Sequence, residues 1–165
     1  MKRMKPLLCA LAILSLTGCA YKMQPQSFLP KGESIQGAAV LLNQYTADQY
    51  SYNVLQVDGK GLGNGRIYEI YLSPGRHKIK VMVNAFGALS FVGQTYVGEL
   101  DCDFRRMGFY TIGAQSGGRP DMVDKNSGKA MLVSCVEHDS KPENPALMKF
   151  IKDHGWTLST ELFVP

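Results

Sequence analysis

The chain has 165 residues, with 18 Lys and Arg against 14 Asp and Glu and a formal net charge of +4. Three of those cations, Lys2, Arg3 and Lys5, stand in the first five residues, so the rest of the chain carries only +1. That leaves no basic surplus for a nucleic-acid partner, and the length suits one domain.

In chain order, the basic start is followed by an apolar run over 7–16, the length of a secretory leader and too short to span a bilayer. It ends in Leu16-Thr17-Gly18-Cys19, which resembles the lipobox of bacterial lipoproteins. The resemblance implies that residues 1–18 are a lipoprotein signal peptide and that Cys19 becomes an acylated N-terminus, with a thioether-linked diacylglycerol and an amide-linked third chain. At about 0.8 kcal/mol per buried methylene, several acyl chains (palmitate-like) make a lasting membrane anchor, whereas one chain is marginal. The alternative is a plain signal cut after Gly18 or Ala20, and a cut after Gly18 would leave Cys19 as a bare thiol. By resemblance to lipoprotein sorting, Ala20 in place of Asp directs the protein to the cell outer membrane, facing the periplasm. Residues 19–34 hold Pro25 and Pro30 and show no apolar periodicity, so they read as a lipidated flexible tether.

Strand-like runs rich in Val, Ile, Tyr and Phe follow at 36–45, 50–58, 66–73, 77–84, 94–104, 108–115 and 129–137. Asn144 can then cap a helix with Pro145 at its first position, Leu147, Phe150 and Ile151 on one face, and Gly155 as its stop. Residues 156–165 return as an edge strand. The expected fold over 35–165 is a mainly β, antiparallel β-sandwich of seven to eight strands with one C-terminal α-helix.

The glycine-rich stretch "VDGKGLGNGRIYEIYL", 57–72, raises the question of a phosphate-binding loop. Lys60 precedes the run instead of closing it, Asn64 stands where Gly59-x-Gly61-x-x needs a third glycine, and a strand follows where a helix N-terminus would be needed. Nucleotide binding is therefore not expected. Asp58-Gly59 and Asn64-Gly65 instead supply the positive φ angles of tight turns, and Ser73-Pro74-Gly75 forms a type II turn.

With Cys9 in the leader and Cys19 acylated, Cys102 and Cys135 remain in an oxidising compartment. Leu100, Cys102 and Phe104 fall on one face of a strand, and Met131, Val133 and Cys135 on one face of another, so both sulfurs point inward and a disulfide bond is expected. A zinc site from Cys102, Cys135 and His138 would need reduced thiolates where thiols oxidise.

Val57-Asp58-Gly59, Pro74-Gly75-Arg76-His77 and Gly108-Phe109-Tyr110-Thr111-Ile112 together resemble PEGA-type β-sandwich domains and related uncharacterised bacterial lipoprotein families over about 36–137. That resemblance implies a small sandwich with no catalytic site to carry over. The PEGA tetrapeptide itself is absent.

Among candidate catalytic residues, His77 opens a strand, His154 lies in the last turn of the helix, and His138 stands between Glu137 and Asp139. No Gly-x-Ser-x-Gly elbow exists. Glu99, Asp101 and Asp103 alternate with core residues and form an acidic stripe opposite Lys78 and Lys80, a solvated face in the simpler reading. The connection over 84–93 carries Phe86, Leu89, Phe91 and Val92, which either fold over the sandwich end or meet a partner or membrane. These features point to a noncatalytic, lipid-anchored envelope protein, a protein-interaction or structural module using no metal or other cofactor. The alternatives are an envelope hydrolase or metal-dependent site near His138, and a secretion-apparatus lipoprotein.

Overall fold

The computed structural model describes residues 22–43, 45–47, 50–85, 94–114, 122–123, 130–131, 133–143, 145–159 and 161–162. The leader, Cys19, and Phe86, Leu89 and Phe91 lie outside these residues. The strands are β1 (Lys22–Ser27), β2 (Ala39–Leu42), β3 (Tyr45–Ala47), β4 (Tyr50–Val57), β5 (Lys60–Gly61), β6 (Arg66–Leu72), β7 (Gly75–Ala85), β8 (Gln94–Phe104), β9 (Phe109–Ala114), β10 (Met122–Val123), β11 (Ala130–Met131), β12 (Val133–His138) and β13 (Thr157–Leu158). The helix α1 (Pro145–Asp153) stands between β12 and β13, as its proline start and the positive φ of Gly155 (63°) dictate.

Two sheets make the sandwich. One runs β3-β4-β7-β8, with β5 paired to β4, and is antiparallel throughout. The other is six-stranded, in the order β12-β9-β2-β6-β1-β13. The expected antiparallel pattern fails in this second sheet: β1 pairs in parallel with both β6 and β13, and β2 pairs in parallel with β9. The strands also outnumber the seven or eight expected, because long apolar runs break at bends, very short strands add to the edges, and β10 and β11 pair with each other as a separate two-stranded sheet.

Period-two alternation sets the core. On β7, Ile79, Val81 and Val83 are fully buried while Lys78 is exposed and Lys80 and Met82 between them are half-buried; on β8, Leu100, Cys102 and Phe104 face inward. A register shift between Val54 and Gln56 on β4 carries the inward face from Val54 to Val57. A matching irregularity between β1 and β6 lets Ile67 and Ile70, three residues apart, both enter the core. Each fully buried aliphatic side chain contributes about 1.5–3 kcal/mol.

The disulfide forms as expected and joins the two sheets, Cys102 of β8 to Cys135 of β12, with their Cα atoms 5.9 Å apart. Phe104 and Tyr110 pack edge to face beside it at 4.7 Å. The Tyr110 hydroxyl accepts the Arg105 amide at 2.7 Å, bringing its ring so close to Gly108 that a Cβ there would meet it at 2.7 Å. That contact explains the glycine.

The flexible-tether assignment of 19–34 is overturned over Lys22–Ser27. These residues form an interior strand, with Met23 and Gln26 fully buried and the Gln26 Oε1 accepting the Gly63 amide at 2.8 Å.

Candidate functional site

The outer face of the six-stranded sheet is covered. In the β2–β6 register Leu42 lies opposite Glu69 and Val40 opposite Tyr71, on the face away from the core pairs Leu41–Ile70 and Ala39–Leu72. The segment leading into α1 and the N-terminal half of α1 lie over this face, beside Leu158 of the edge strand β13. They enclose a groove of about 470 Å³ lined by Leu42, Tyr68, Pro142, Leu147, Met148 and Leu158, with Asn43, Glu69, Lys141 and Glu143 as its polar members. This volume falls in the range of small-ligand or side-chain pockets.

The polar groups of the floor are individually answered. Asn43 donates to the Ile67 carbonyl at 3.0 Å and accepts the Val54 amide at 2.7 Å, which ties the end of β2 to both sheets. Glu69 is buried; the Lys141 ammonium pairs with one of its oxygens, and the Tyr71 hydroxyl donates to the other at 2.8 Å. Tyr68 donates to the Ser159 carbonyl at 2.7 Å and so holds the chain after β13 against β6. Burial first, and the Glu69 charge second, push the Tyr68 phenol up to about 12. Burial also raises Tyr71, helped by its hydrogen bond to Glu69 and by that charge. Both phenols are therefore neutral donors at any physiological pH. The walls are apolar and partly open to solvent: Met148 is 53% exposed and Leu158 40%, two of the four exposed large hydrophobic side chains among the described residues.

The residues singled out from sequence fall elsewhere. Asp58 and Gly59 take φ of 50° and 78°, the pattern of a type I′ hairpin turn between β4 and β5; of the second pair, Gly65 alone takes a positive φ (123°). The glycine stretch thus makes a hairpin and then carries the chain to the other sheet. The bend at Pro74-Gly75 makes the return crossing, from β6 to β7.

These two turns meet through His77. Its Nδ1 lies 2.6 Å from Asp58 Oδ2, and its Nε2 lies 2.9 Å from the Ser73 carbonyl and 3.3 Å from the Ser73 hydroxyl. The order Ser-His-Asp invites a catalytic reading, but Nε2 is closer to an acceptor that can take only a proton. With Nδ1 on Asp58 and Nε2 on the Ser73 carbonyl, the ring has no nitrogen to spare for activating Ser73. The arrangement is a clamp. Burial pushes the Asp58 carboxyl up, yet the His77 hydrogen bond, the Lys78 amide and the charges of His77 and Lys60 outweigh it and leave the group below its ordinary value.

His138 sits on the Thr111 hydroxyl at 2.9 Å while its neighbour Glu137 reaches Arg105 at 3.6 Å, so the Glu137-His138-Asp139 run does not converge. His154 caps the helix end, with Nδ1 2.8 Å from the Phe150 carbonyl and its ring 4.0 Å from that of Phe150. Among the described residues no three His, Cys, Asp or Glu side chains gather as metal ligands. The acidic stripe is exposed and in register with cations: Glu99 faces Lys80, Asp101 faces Lys78 and Asp103 faces Arg76.

Sequence reasoning missed Glu69 and Lys141. The available signal was a lone acid inside the strand "RIYEIYL", which a helix packed on the outer face buries. Compared with protein-family models, with curated proteins and with solved structures, the chain matches none. No helix among the described residues is long and apolar enough to cross a membrane.

Proposed function

We propose that the protein is a noncatalytic, lipid-anchored envelope protein, facing the periplasm from the outer membrane, that holds a protein partner by an apolar segment set into the groove beneath α1. The groove carries this reading: it is concave and apolar, and Met148 and Leu158 line it while exposed to solvent. Methionine suits such a surface because its flexible thioether adapts to a partner's shape. A link between sheets through Cys102 and Cys135 fits an oxidising compartment, and the lipobox at 16–19 supplies the anchor. All three histidines are engaged in scaffold contacts, which supports binding over hydrolysis. The reading takes the domain as PEGA-like, since two of its turn motifs meet in the Asp58–His77 contact.

The test is site-specific photo-crosslinking in intact cells. A crosslinker at Met148 should give a discrete protein adduct, and one at Asp101 on the charged face should not. Adducts of equal yield from both positions, or none from Met148, would sink the proposal.

A further inference from the structure

The crossing from β5 to β6 holds the one asparagine of the chain that is followed by glycine, Asn64 before Gly65. Both residues are exposed, and the bend they form ends at Arg66, the first residue of β6. Neither the Asn64 carboxamide nor the Gly65 amide takes part in a hydrogen bond among the described residues, so no bond has to break before the two groups meet. The asparagines on or beside the other strands differ. Asn43 is buried with its side chain bonded to Ile67 and Val54, Asn84 is bonded to Ser51 and Thr95, and Asn53 is followed by the β-branched Val54. Glycine matters at 65 because it places no Cβ beside its nitrogen, and its φ of 123° is one that other residues rarely adopt.

We propose that Asn64 is a site of spontaneous covalent modification, deamidation through a succinimide, and that the isoaspartyl product loosens the crossing. The Gly65 amide gives up its proton to hydroxide, and its nitrogen attacks Cγ of Asn64. The new C–N bond closes the succinimide as the Cγ–Nδ2 bond breaks, and the departing nitrogen takes a proton from water and leaves as ammonia. Water then opens the ring at either carbonyl. Opening at Cγ gives aspartate; opening at the main-chain carbonyl gives isoaspartate, in which the chain runs through Cβ and Cγ and is one methylene longer. The net change is one water consumed and one ammonia released, with no oxidant required. This lengthening falls where β1 grips the chain: Gln26, fully buried, accepts the Gly63 amide at 2.8 Å, and Gln24 donates to the Asn64 carbonyl at 3.4 Å. In the isoaspartyl product that carbonyl becomes a free carboxylate, and the added methylene falls between the hold on Gly63 and the pairing of Arg66 with Met23. The strand so entered goes on to supply Tyr68 and Glu69 to the groove floor.

The full-length protein is incubated natively at mildly alkaline pH and, in parallel, in urea, and both samples are digested with trypsin, which releases residues 61–66 as one peptide. In the native sample this peptide should gain the mass difference between –NH2 and –OH, appear as two chromatographic forms, and do so at a rate that rises with pH. Peptides carrying Asn53 and Asn84 should stay unmodified in the same digest. An isoaspartyl methyltransferase should label one of the two forms, and Asn64→Gln should lose the product, because the larger ring it would need closes far more slowly. Isoaspartyl protein separated from the unmodified chain should unfold at a lower urea concentration than freshly prepared Asn64→Asp, which carries the charge without the methylene. Asn64 that converts in urea but not in native protein, or no faster than Asn53 and Asn84, overturns the site. An isoaspartyl form as stable as Asn64→Asp overturns the loosening of the crossing.

Discussion

Each of the two large sheets carries an acid–base contact with one partner sunk and the other wet, and the buried partner is the acid in one and the base in the other. On the six-stranded sheet the acid is inside: the Glu69 side chain is 6% exposed and Lys141 52%. At the start of β7 in the five-stranded sheet the base is inside, His77 at 10% and Asp58 at 48%. What lies over each site explains the difference. Glu69 stands on an outer face roofed by the segment into α1, whereas His77 continues the inward face of β7 at the end of the sandwich, against the Phe104 ring at 5.8 Å. The solvated outer face of the five-stranded sheet needs no such provision, because its opposed Lys, Arg, Asp and Glu side chains stay in water and are worth about 0.2–1 kcal/mol per pair. A covered face must satisfy each polar group separately.

The comparison breaks most sharply where the sheets are joined. Cys102→Ala with Cys135→Ala opens a loop of 33 residues in sequence separation. That should lower stability by about 3–4 kcal/mol in urea unfolding; a loss under about 1 kcal/mol would mean that core packing alone holds the seam. Next comes the roofed acid. Lys141→Ala leaves Glu69 to Tyr71 alone and should cost about 1–2 kcal/mol, reduced by the exposure of the lysine. Adding Glu69→Leu should recover much of it, because a buried pair removed whole costs less than one broken in half; a double variant no more stable than the single one would refute that account. The smallest effect belongs to the wet acid and appears only at low pH. The folded-state value of Asp58 lies below its ordinary value, so its contact stabilises the fold above the ordinary carboxylate range and is lost as pH falls through the folded value. Between pH 7 and acid, the wild-type unfolding midpoint should therefore fall further than that of Asp58→Asn, and parallel titrations would remove Asp58 from the explanation.

The five-stranded sheet was the legible half. Its alternations on β7 and β8, its type I′ turn and its inward cysteine all follow from local pattern, as do the proline start and glycine stop of α1. The six-stranded sheet was less so, because its parallel pairings join distant segments and leave no local trace. β1 reads as a spacer since Pro25 and three glutamine or serine side chains hide a strand whose polar members, Gln26 and Ser27, are buried. The groove was illegible for the same reason: β2–β6 pairing sets Leu42 opposite Glu69, but Lys141 and Met148 reach them only through the packing of α1 and the segment before it.

The place of β1 also governs the order in which the molecule is completed. Lys22 pairs with Thr157, so the first described strand meets one of its two neighbours only when nearly the whole chain is present. The β7–β8 hairpin closes from neighbouring residues, while the parallel contact of β1 with β13 closes the largest loop among the described strands and carries the largest entropy of closure. In a chain delivered from its N-terminus, the five-stranded sheet assembles early, and β1 waits with one edge open until residues 157–158 arrive. The last step of folding is thus the one that closes β1 between its two neighbours.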